Sequence, residues 1–393
     1  MKWLKLLFVS YIGVLIALFF YSFTQVDLSL TLSKLSFYQL AEKSLQNIGF
    51  FQRPLSALIF SIIFLLLFTF WGLFLYLSRK NKLQIKQLKL LIFLTFAILV
   101  FSYNAFSYDL FNYIFDAKIV TFYHQNPYLN KASDFISDPM LNFMRWTHRV
   151  YPYGPTWLFL TVPLSFIGMG YFLPTFFLFK LLTGFSFLGI CFLIYKISEK
   201  IFPENKIFNL VFWAFNPLVI TEALVSSHND FSMIFILLFS FYLYLEKKKL
   251  SGLIFYLFSI GVKFSTGALL PFPFIFAYFE KRKKQINWEK IFLLAVLLSI
   301  STVVFASIRT TFQPWYLIFP LSLATFLSKK YYIFIPSFLF SFFGILIYLP
   351  YVYLTDYAPS YPAIIQNVEI FAVAATIVIS AFLFVKIKLV SRH

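Results

Sequence analysis

The sequence predicts an all-α fold, a polytopic bundle of about 12 membrane-spanning helices with a long external loop of interfacial or re-entrant helices. Three observations predict it. Of the 393 residues, 61% are hydrophobic and 12% are charged, which leaves too little polar surface to cover a water-soluble globule. Aromatic residues make up 23% of the chain, which excludes a disordered protein. The apolar runs are long and continuous, unlike the alternating strands of a membrane barrel.

Each predicted span is a run of apolar residues that can cross a hydrocarbon core of about 30 Å as a helix. The predicted spans are 3–23, 54–78, 88–106, 173–195, 207–223, 229–245, 250–262, 264–279, 289–307, 314–327, 331–349 and 368–388. The pair within 250–279 is short for two crossings and is interpreted as a hairpin of brief or broken helices. With neither a repeat nor a soluble appendage in the sequence, residues 1–393 are predicted to form a single membrane domain.

The net charge of +18 fits a membrane protein better than a nucleic-acid-binding protein. Basic residues collect in the loops on one side of the predicted bundle, which the positive-inside rule assigns to the cytoplasm. The clusters are Arg79–Lys89, Lys196–Lys206, Lys247–Lys249, Lys281–Lys290, Lys329–Lys330 and Lys386–Arg392. We expect a multi-pass protein of the plasma (inner) membrane with both termini in the cytoplasm and no nucleic-acid partner.

Residues 107–170 are predicted to form the wall of a site on the external face. Tyr151–Gly170 is apolar enough to span the membrane, but a crossing there would move Lys196–Lys206 to the wrong side. We therefore interpret this stretch as re-entrant or interfacial. Irregular backbone at membrane depth requires protein or a water-filled cavity to satisfy its polar groups.

Two carboxylates stand at the start of this loop. Asp109 follows the span 88–106, and Asp116 lies seven residues later on the same face of a continuing helix. Ionisable residues at a membrane face are costly and mark functional sites, so Asp109 is predicted to be a general base at the external mouth of a cavity. The alternative, that Asp109 caps its helix or faces water, stays open.

A second polar cluster precedes the span 229–245. His228, Asn229 and Asp230 follow one another, and Glu222 lies six positions before His228. One polar residue is enough to cap a helix, so three in succession indicate a functional role, although capping stays the alternative. Because helix N-termini attract anions, His228 is predicted to take part in the site.

The candidate cations are Lys263, Arg309 and Lys180. Lys263 lies between two short predicted helices and must find an anionic partner or reach the surface. Arg309 follows the span 289–307, shortly before Gln313, and can bind a phosphate through two contacts, unless it is an ordinary interfacial residue. Lys180, inside the span 173–195, ranks below Lys263 because no motif surrounds it.

These residue types suit the transfer of a group from a lipid phosphate. Displacing a phosphate from an anomeric carbon requires a base for the incoming hydroxyl and cations for the leaving phosphate, whereas glycoside hydrolysis ordinarily uses two carboxylates. The single cysteine, Cys191, excludes a multi-Cys metal site. Asp109, Asp116 and Asp230 could ligate a divalent cation through oxygen, so we name no certain cofactor and leave this one open.

Several motifs occur in a recognisable order. In the external loop these are Tyr108–Tyr113, Asp116, Asn126–Tyr128 and Tyr151–Pro155, followed later by Asn216–Leu218, His228–Asp230, Lys263 and Gln313–Tyr316. Over about residues 88–330, this order resembles the GT-C-fold glycosyltransferases, most of all the bacterial branch that uses polyprenyl-phosphate-mannose, including the mycobacterial-type α-mannosyltransferases.

The resemblance implies inverting transfer of mannose or another hexose from a polyprenyl-phosphate donor lipid to a glycan, lipid or protein acceptor on the external face. It implies that Asp109 is the catalytic base and that His228, Lys263 and Arg309 contact the donor phosphate. Residues predicted to support them are Asp116, Asn229, Asp230, Glu222, Tyr153 and Gln313.

Two other functions stay open. A transporter or flippase for lipid-linked saccharide is the main alternative, although such proteins often contain repeated halves, and this sequence does not show them. A non-catalytic membrane scaffold is the third hypothesis, in which the external polar clusters would be incidental.

Overall fold

The computed structural model describes residues 2–390, and within that range the chain is helical and contains no strand. The all-α prediction is therefore confirmed. The terminal residues Met1 and His393, which we expect in the cytoplasm, lie outside the described residues, as does Arg392 of the last basic cluster.

The described chain is a succession of α-helices joined by turns and loops, of which the longest lies between Thr121 and Pro155. In order they are α1 (Lys2–Ser22), α2 (Ser36–Gln46), α3 (Arg53–Arg79), α4 (Ile85–Leu99), α5 (Asp109–Thr121), α6 (Pro155–Ile167), α7 (Phe172–Ile201), α8 (Lys206–Ala214), α9 (Pro217–Ile220), α10 (Asp230–Leu245), α11 (Lys249–Val262), α12 (Pro271–Lys281), α13 (Trp288–Arg309), α14 (Ile318–Ala324), α15 (Tyr331–Leu346), α16 (Tyr348–Leu354) and α17 (Tyr361–Val390).

Fewer helices are long enough to cross a membrane than the sequence predicts. Among the described residues six apolar helices qualify, or up to seven if Pro203–Ala214 and Pro217–Val225, which meet at a bend of 56°, count as one span. The prediction of about 12 spans is not confirmed, because several apolar runs form short or broken helices. For example, 229–245 becomes a 16-residue helix and 250–262 a 14-residue helix.

The helix predicted over 88–106 ends earlier than expected, at Leu99. The Ser102 hydroxyl donates to the Leu99 carbonyl at 2.6 Å, and Phe106 takes a left-handed backbone with φ of 68°. The left-handed backbone of Phe106 is incompatible with a continuing helix. The chain therefore leaves α4 as an irregular strip of about nine residues before Asp109 begins α5.

The chain divides into two compact units, each assembled from separate stretches of sequence. The first consists of the chain up to Ile59, Lys89–Ile190 and Ile220–Gly267. The second consists of Phe60–Leu88, Cys191–Val219 and the chain from Ala268 onward. The prediction of a single membrane domain stays a prediction.

In the first unit, α5, α6, α10 and α11 pack against one another. Helices α10 and α11 form a hairpin in which the Ser240 hydroxyl donates to the Gly252 carbonyl at 2.7 Å. Helix α6 packs on α11 and also on α5, where the rings of Tyr113 and Trp157 lie 5.2 Å apart. The 13-residue helix α6 occupies the stretch predicted to be re-entrant or interfacial, and its placement in a membrane stays a prediction.

The second unit packs around two buried tryptophans. Trp71 of α3 stacks on Phe338 of α15, with ring centroids 5.2 Å apart, and its indole N–H donates to the Phe212 carbonyl at 3.1 Å. The indole of Trp213 donates to Ser322 Oγ at 2.9 Å. Helices α13, α14, α15 and α17 of this unit line an apolar cavity of about 630 Å³.

The start of α6 touches the end of α11 through two glycines. An added Cβ at Gly154 would lie 2.2 Å from the Gly261 carbonyl oxygen, and one at Gly261 would lie 2.2 Å from Thr156 Oγ1. The Gly154 N–H also donates to the Val262 carbonyl at 3.3 Å. This contact joins the Tyr151–Pro155 motif to the residue directly before Lys263.

Replacing Gly154 with alanine should destabilise the protein because its methyl group would collide with backbone atoms that cannot rotate away. We expect Gly154→Ala to lower the free energy of unfolding by about 1–3 kcal/mol, measured as thermal unfolding in detergent micelles. Gly267→Ala is the matched control, since its Cβ would meet no atom within 4 Å. Equal melting temperatures for the two variants would contradict the close contact.

Candidate active site

The first unit brings the two predicted polar clusters together around one imidazole. His228 Nδ1 lies 3.5 Å from Asp109 Oδ2, and His228 Nε2 lies 3.2 Å from Glu222 Oε2. The side chains of His228 and Glu222 are fully buried, whereas that of Asp109 keeps 15% of its surface exposed. Asp109 is therefore the member of this cluster that a ligand can reach.

A tight turn places Glu222 and His228 side by side. Thr221–Val225 forms a single π-helical turn after α9. Ser227 then adopts a left-handed backbone with φ of 53°, and the His228 N–H returns to the Glu222 carbonyl at 3.1 Å. A left-handed conformation is unfavourable for a side-chain-bearing residue, and such backbone is concentrated at functional sites.

The environment of His228 favours its protonated form. Burial alone would lower the pKa of the imidazole, but the adjacent carboxylates of Asp109 and Glu222 outweigh this effect and raise the pKa to about 9. At neutral pH the ring is then a cation held between two anions. Since both nitrogens face carboxylates, the predicted contact between His228 and a donor phosphate stays a prediction.

A second ion pair lies at the neighbouring helix ends. Lys263, which caps the C-terminus of α11 with an extended backbone, places Nζ 2.9 Å from both carboxylate oxygens of Asp230. Asp230 is the first residue of α10 and its side chain is buried, whereas that of Lys263 is 23% exposed. Lys263 thus has the anionic partner that its position requires.

The loop motifs pack against one another beside these charges. The Tyr151 N–H donates to the Pro127 carbonyl at 3.0 Å, and the Tyr128 hydroxyl donates to the Tyr153 carbonyl at 3.3 Å. The rings of Tyr113 and Tyr153 lie 5.3 Å apart. The Asn126–Tyr128 and Tyr151–Pro155 motifs therefore form one structure against α5.

Tyr153 lies in the electrostatic field of three carboxylates. Burial raises the pKa of its phenol well above the usual value, and Asp109, Asp116 and Asp230 raise it further when they are ionised. The phenol is accordingly a neutral hydrogen-bonding group. The same field acts on Tyr113, whose pKa is raised by burial and then by Tyr153, Asp109 and Asp230.

Two further predicted residues have distinctive surroundings. Asp116 lies about two turns after Asp109 on α5, and desolvation raises its pKa to about 8, so it carries a proton at neutral pH. Asn229 is the N-cap of α10, yet its side chain makes no capping hydrogen bond. Its amide nitrogen and oxygen are both buried without a hydrogen-bond partner among the described residues, so the capping alternative does not account for it.

Arg309 and Gln313 belong to the second unit. Arg309 is the last residue of α13, and its guanidinium carbon lies 5.7 Å from the centre of the Phe305 ring. Gln313 precedes the turn Pro314–Leu317 and donates to Thr311 Oγ1 at 3.1 Å. Their predicted participation with Asp109 stays a prediction.

In the part of the chain that the structure describes, no group of three or more His, Cys, Asp or Glu side chains has the arrangement of a metal site. Binding of a divalent cation by Asp109, Asp116 and Asp230 stays a prediction, because it depends on side-chain positions in the presence of the ion.

Sequence reasoning missed the ion pair that fastens the external loop to α5. Lys118 forms a salt bridge with the buried carboxylate of Asp138, and the Tyr123 hydroxyl donates to the same carboxylate at 2.7 Å. Desolvation would raise the pKa of Asp138, but hydrogen bonds from Lys118, Tyr123 and the Met140 N–H lower it below its usual value. The spacing of 20 residues between Lys118 and Asp138 carries no periodic signal that could have revealed this pair.

One comparison with known proteins identifies a family. The sequence profile of the MptA_B family, described as the N-terminal domain of α-(1→6)-mannopyranosyltransferases, matches residues 26–278. This range includes Asp109, His228 and Lys263 and covers more than half of the chain. No curated protein and no solved structure matches the chain.

The raised pKa of His228 makes stability depend on pH. An unperturbed imidazole has a pKa of 6.5, so protonation of His228 stabilises the folded state fully below that pH, and this contribution is lost as the pH rises through about 9. Its size is at most about 3 kcal/mol. Between pH 6 and 10, the melting temperature of the wild type should therefore fall further than that of His228→Gln.

The exposed His148 supplies the control, since His148→Gln should keep the wild-type dependence on pH. The measured quantity is the change of melting temperature with pH, so a constant loss of stability in His228→Gln does not affect the result. Parallel pH curves for the wild type and His228→Gln would show that His228 does not gain its proton in the folded state.

Proposed function

The chain belongs to the MptA_B family and is a mannosyltransferase of the membrane, and from this premise we propose that it transfers mannose from a polyprenyl-phosphate donor, with Asp109 as the base and with inversion at the anomeric carbon. One observation carries the proposal. A partly exposed carboxylate, Asp109, is held against a buried imidazole at 3.5 Å, in the same unit as the Lys263–Asp230 ion pair.

The proposed reaction is a single displacement. The hydroxyl oxygen of the acceptor attacks C1 of the mannose while its proton passes to the Asp109 carboxylate. The bond between C1 and the phosphate oxygen breaks, and the electron pair leaves with the polyprenyl phosphate. Since phosphate is a stable anion, no group needs to protonate it, and one base is sufficient.

We assign His228 the task of holding Asp109 in position. Both nitrogens of the ring face carboxylates, so the imidazole bridges Asp109 and the buried Glu222. This arrangement fixes the direction of the Asp109 carboxylate without exposing the ring. A positioned base within reach of the acceptor hydroxyl contributes typically about 10²–10⁴-fold to a rate.

Lys263, which belongs to the first unit, is proposed to bind the leaving phosphate. Its side chain is partly exposed, and Asp230 fixes the ammonium group from the buried side. An ammonium held in advance costs little reorganisation when charge develops on the phosphate oxygens. The participation of Arg309 stays a prediction, based on the ability of a guanidinium to bind phosphate through two hydrogen bonds.

Asn229 and Tyr153 are proposed to contact the sugar. Asn229 has a buried amide whose polar atoms lack partners among the described residues, and buried polar groups are normally hydrogen-bonded. Tyr153 is a neutral phenol close to Asp109 and Asp230. Hydroxyl-rich substrates such as mannose offer both donors and acceptors to such groups.

The family description suggests the linkage and the donor anomer. If this chain forms an α-(1→6) bond, the acceptor hydroxyl is a primary hydroxyl at C6, on a glycan, lipid or protein. A single displacement inverts C1, so an α product requires a β-linked mannosyl phosphate. The orientation that we propose, with the site on the external face of the plasma membrane and the termini in the cytoplasm, follows from the basic clusters of the sequence.

The test is mannosyl transfer by purified protein in liposomes supplied with radiolabelled polyprenyl-phosphate-β-mannose and a mannoside acceptor. Asp109→Asn should lower kcat by about 10²–10⁴-fold because the amide cannot accept the proton. Asp134→Asn is the control, since Asp134 lies in the same loop and its carboxylate accepts a hydrogen bond from the backbone of Lys131. Only the wild type and Asp134→Asn should form product at full rate.

Three results would overturn parts of the proposal. Undiminished transfer by Asp109→Asn would remove the base assignment. Transfer from GDP-mannose in place of the lipid donor would remove the donor assignment, and a β-linked product would remove the inversion. Movement of the intact lipid-linked sugar across the vesicle without any transfer would favour the transporter hypothesis.

A further inference from the structure

Lys180 is a buried lysine in the first third of α7 that the reaction proposed above does not use. Lys180 is 1% exposed, and the helix that carries it is long and apolar enough to cross a membrane. Nζ donates to the Ser102 carbonyl at 2.7 Å, to Ser102 Oγ at 3.0 Å and to the Val225 carbonyl at 3.4 Å. A lysine ammonium has three N–H donors, and these three acceptors match them.

Both acceptor carbonyls lie at the end of a helical segment or shortly after it. Ser102 follows the end of α4, and Val225 is the last residue of the π-helical turn Thr221–Val225. Carbonyls at helix C-termini lack intrahelical partners and carry partial negative charge, so a cation is stabilised there. Lys180 donates hydrogen bonds to a carbonyl in each of the two segments and thereby links the segments.

The two linked segments lead directly to the reacting cluster. Asp109 follows Ser102 by seven residues, and His228 follows Val225 by three. One more hydrogen bond joins the same segments, from Ser226 Oγ to the Ala105 carbonyl at 2.8 Å.

Hydrogen bonds also hold the segment between Ser102 and Asp109 in place. The side-chain amide of Asn104 donates to the Ser107 carbonyl at 2.7 Å, and the Asp109 N–H donates to Ser107 Oγ at 3.2 Å. On the other side, the His228 N–H is bonded to the Glu222 carbonyl. We therefore expect a displacement at Ser102 or Val225 to change the Asp109–His228 distance.

We propose that Lys180 is a positioning residue, which fixes Asp109 against His228 by tying together the two irregular segments that carry them. The proposal deepens the function proposed above and rests on it for its catalytic meaning. Without the ammonium, two buried carbonyls lose their donors, and an unsatisfied buried carbonyl is costly enough to drive local rearrangement. The segments would then separate or admit water, and Asp109 would lose its fixed direction.

The test compares three variants of the same helix. Lys180→Met keeps the length of the side chain but removes the donors, and Lys180→Arg retains a cationic donor. Thr183→Val is the matched control, because the Thr183 hydroxyl is buried one turn away and bonds to the Lys180 carbonyl of its own helix. Ser226→Ala is a milder variant that removes one cross-link between the segments.

The first readout is the pKa of His228, measured by NMR on protein with ¹⁵N-labelled histidine in micelles and assigned with His228→Gln. The titratable groups that face this ring are Asp109, from α5, and Glu222, from the π-helical turn. Lys180→Met should lower the pKa of His228 by about one unit, because part of the attraction of Asp109 is lost. Ser226→Ala should shift it in the same direction, and Thr183→Val should leave it unchanged.

The second readout separates positioning from folding. In Lys180→Met, kcat for mannosyl transfer should fall about tenfold or more while KM for the donor changes little, and Lys180→Arg should restore part of kcat. An unchanged pKa of His228 in folded Lys180→Met and in Ser226→Ala would overturn the proposal.

If the wild type transfers no mannose, the proposed function fails, whereas the NMR readout still decides whether Lys180 positions the Asp109–His228 pair. If Lys180→Met does not fold, the Ser226→Ala and Lys180→Arg results decide.

Discussion

The arrangement of the site depends on one buried imidazole between two carboxylates. His228 is fully enclosed, and a charged group in that position is stable only when opposite charges compensate for the loss of water. Asp109 and Glu222 supply this compensation from two separate parts of the sequence. Each carboxylate in turn needs the imidazolium, since two adjacent anions in an apolar surrounding would repel each other. The three side chains therefore stabilise one another, and their contacts fix where α5 begins relative to the turn before α10.

The polar groups of this protein gather where its helices break. Asp109 follows the irregular strip after α4, His228 follows a π-helical turn, and Lys263 caps α11. Backbone that leaves a helix in an apolar environment must have its polar groups satisfied by protein. Lys180 and Ser226 do this for the strips that flank the site. The same contacts that make the breaks tolerable also determine the direction of the functional side chains.

Much of the architecture is predictable from the sequence, and the site is predictable in part. Composition and apolar runs are sufficient for the all-α membrane class, and the order of motifs is sufficient for the family. The proximity of Asp109 and His228 agrees with the prediction that both belong to one site. The number of spans is not predictable from hydropathy, because an apolar run such as 250–262 forms a helix of only 14 residues. The contacts of Lys180 are not predictable from the sequence either, because backbone carbonyls are among its partners and leave no pattern in the sequence.

The contact between Gly154 and Gly261 has a consequence for how this protein can diverge. Two backbones meet there without any intervening side chain, next to Tyr153 on one side and two residues before Lys263 on the other. A side chain at Gly154 requires the backbone of Gly261 to move, and that movement would reach groups proposed to hold the sugar and the phosphate. Gly154 therefore limits evolutionary drift at a position that has no chemical role, and its replacement is tolerable only with a concerted shift of α11.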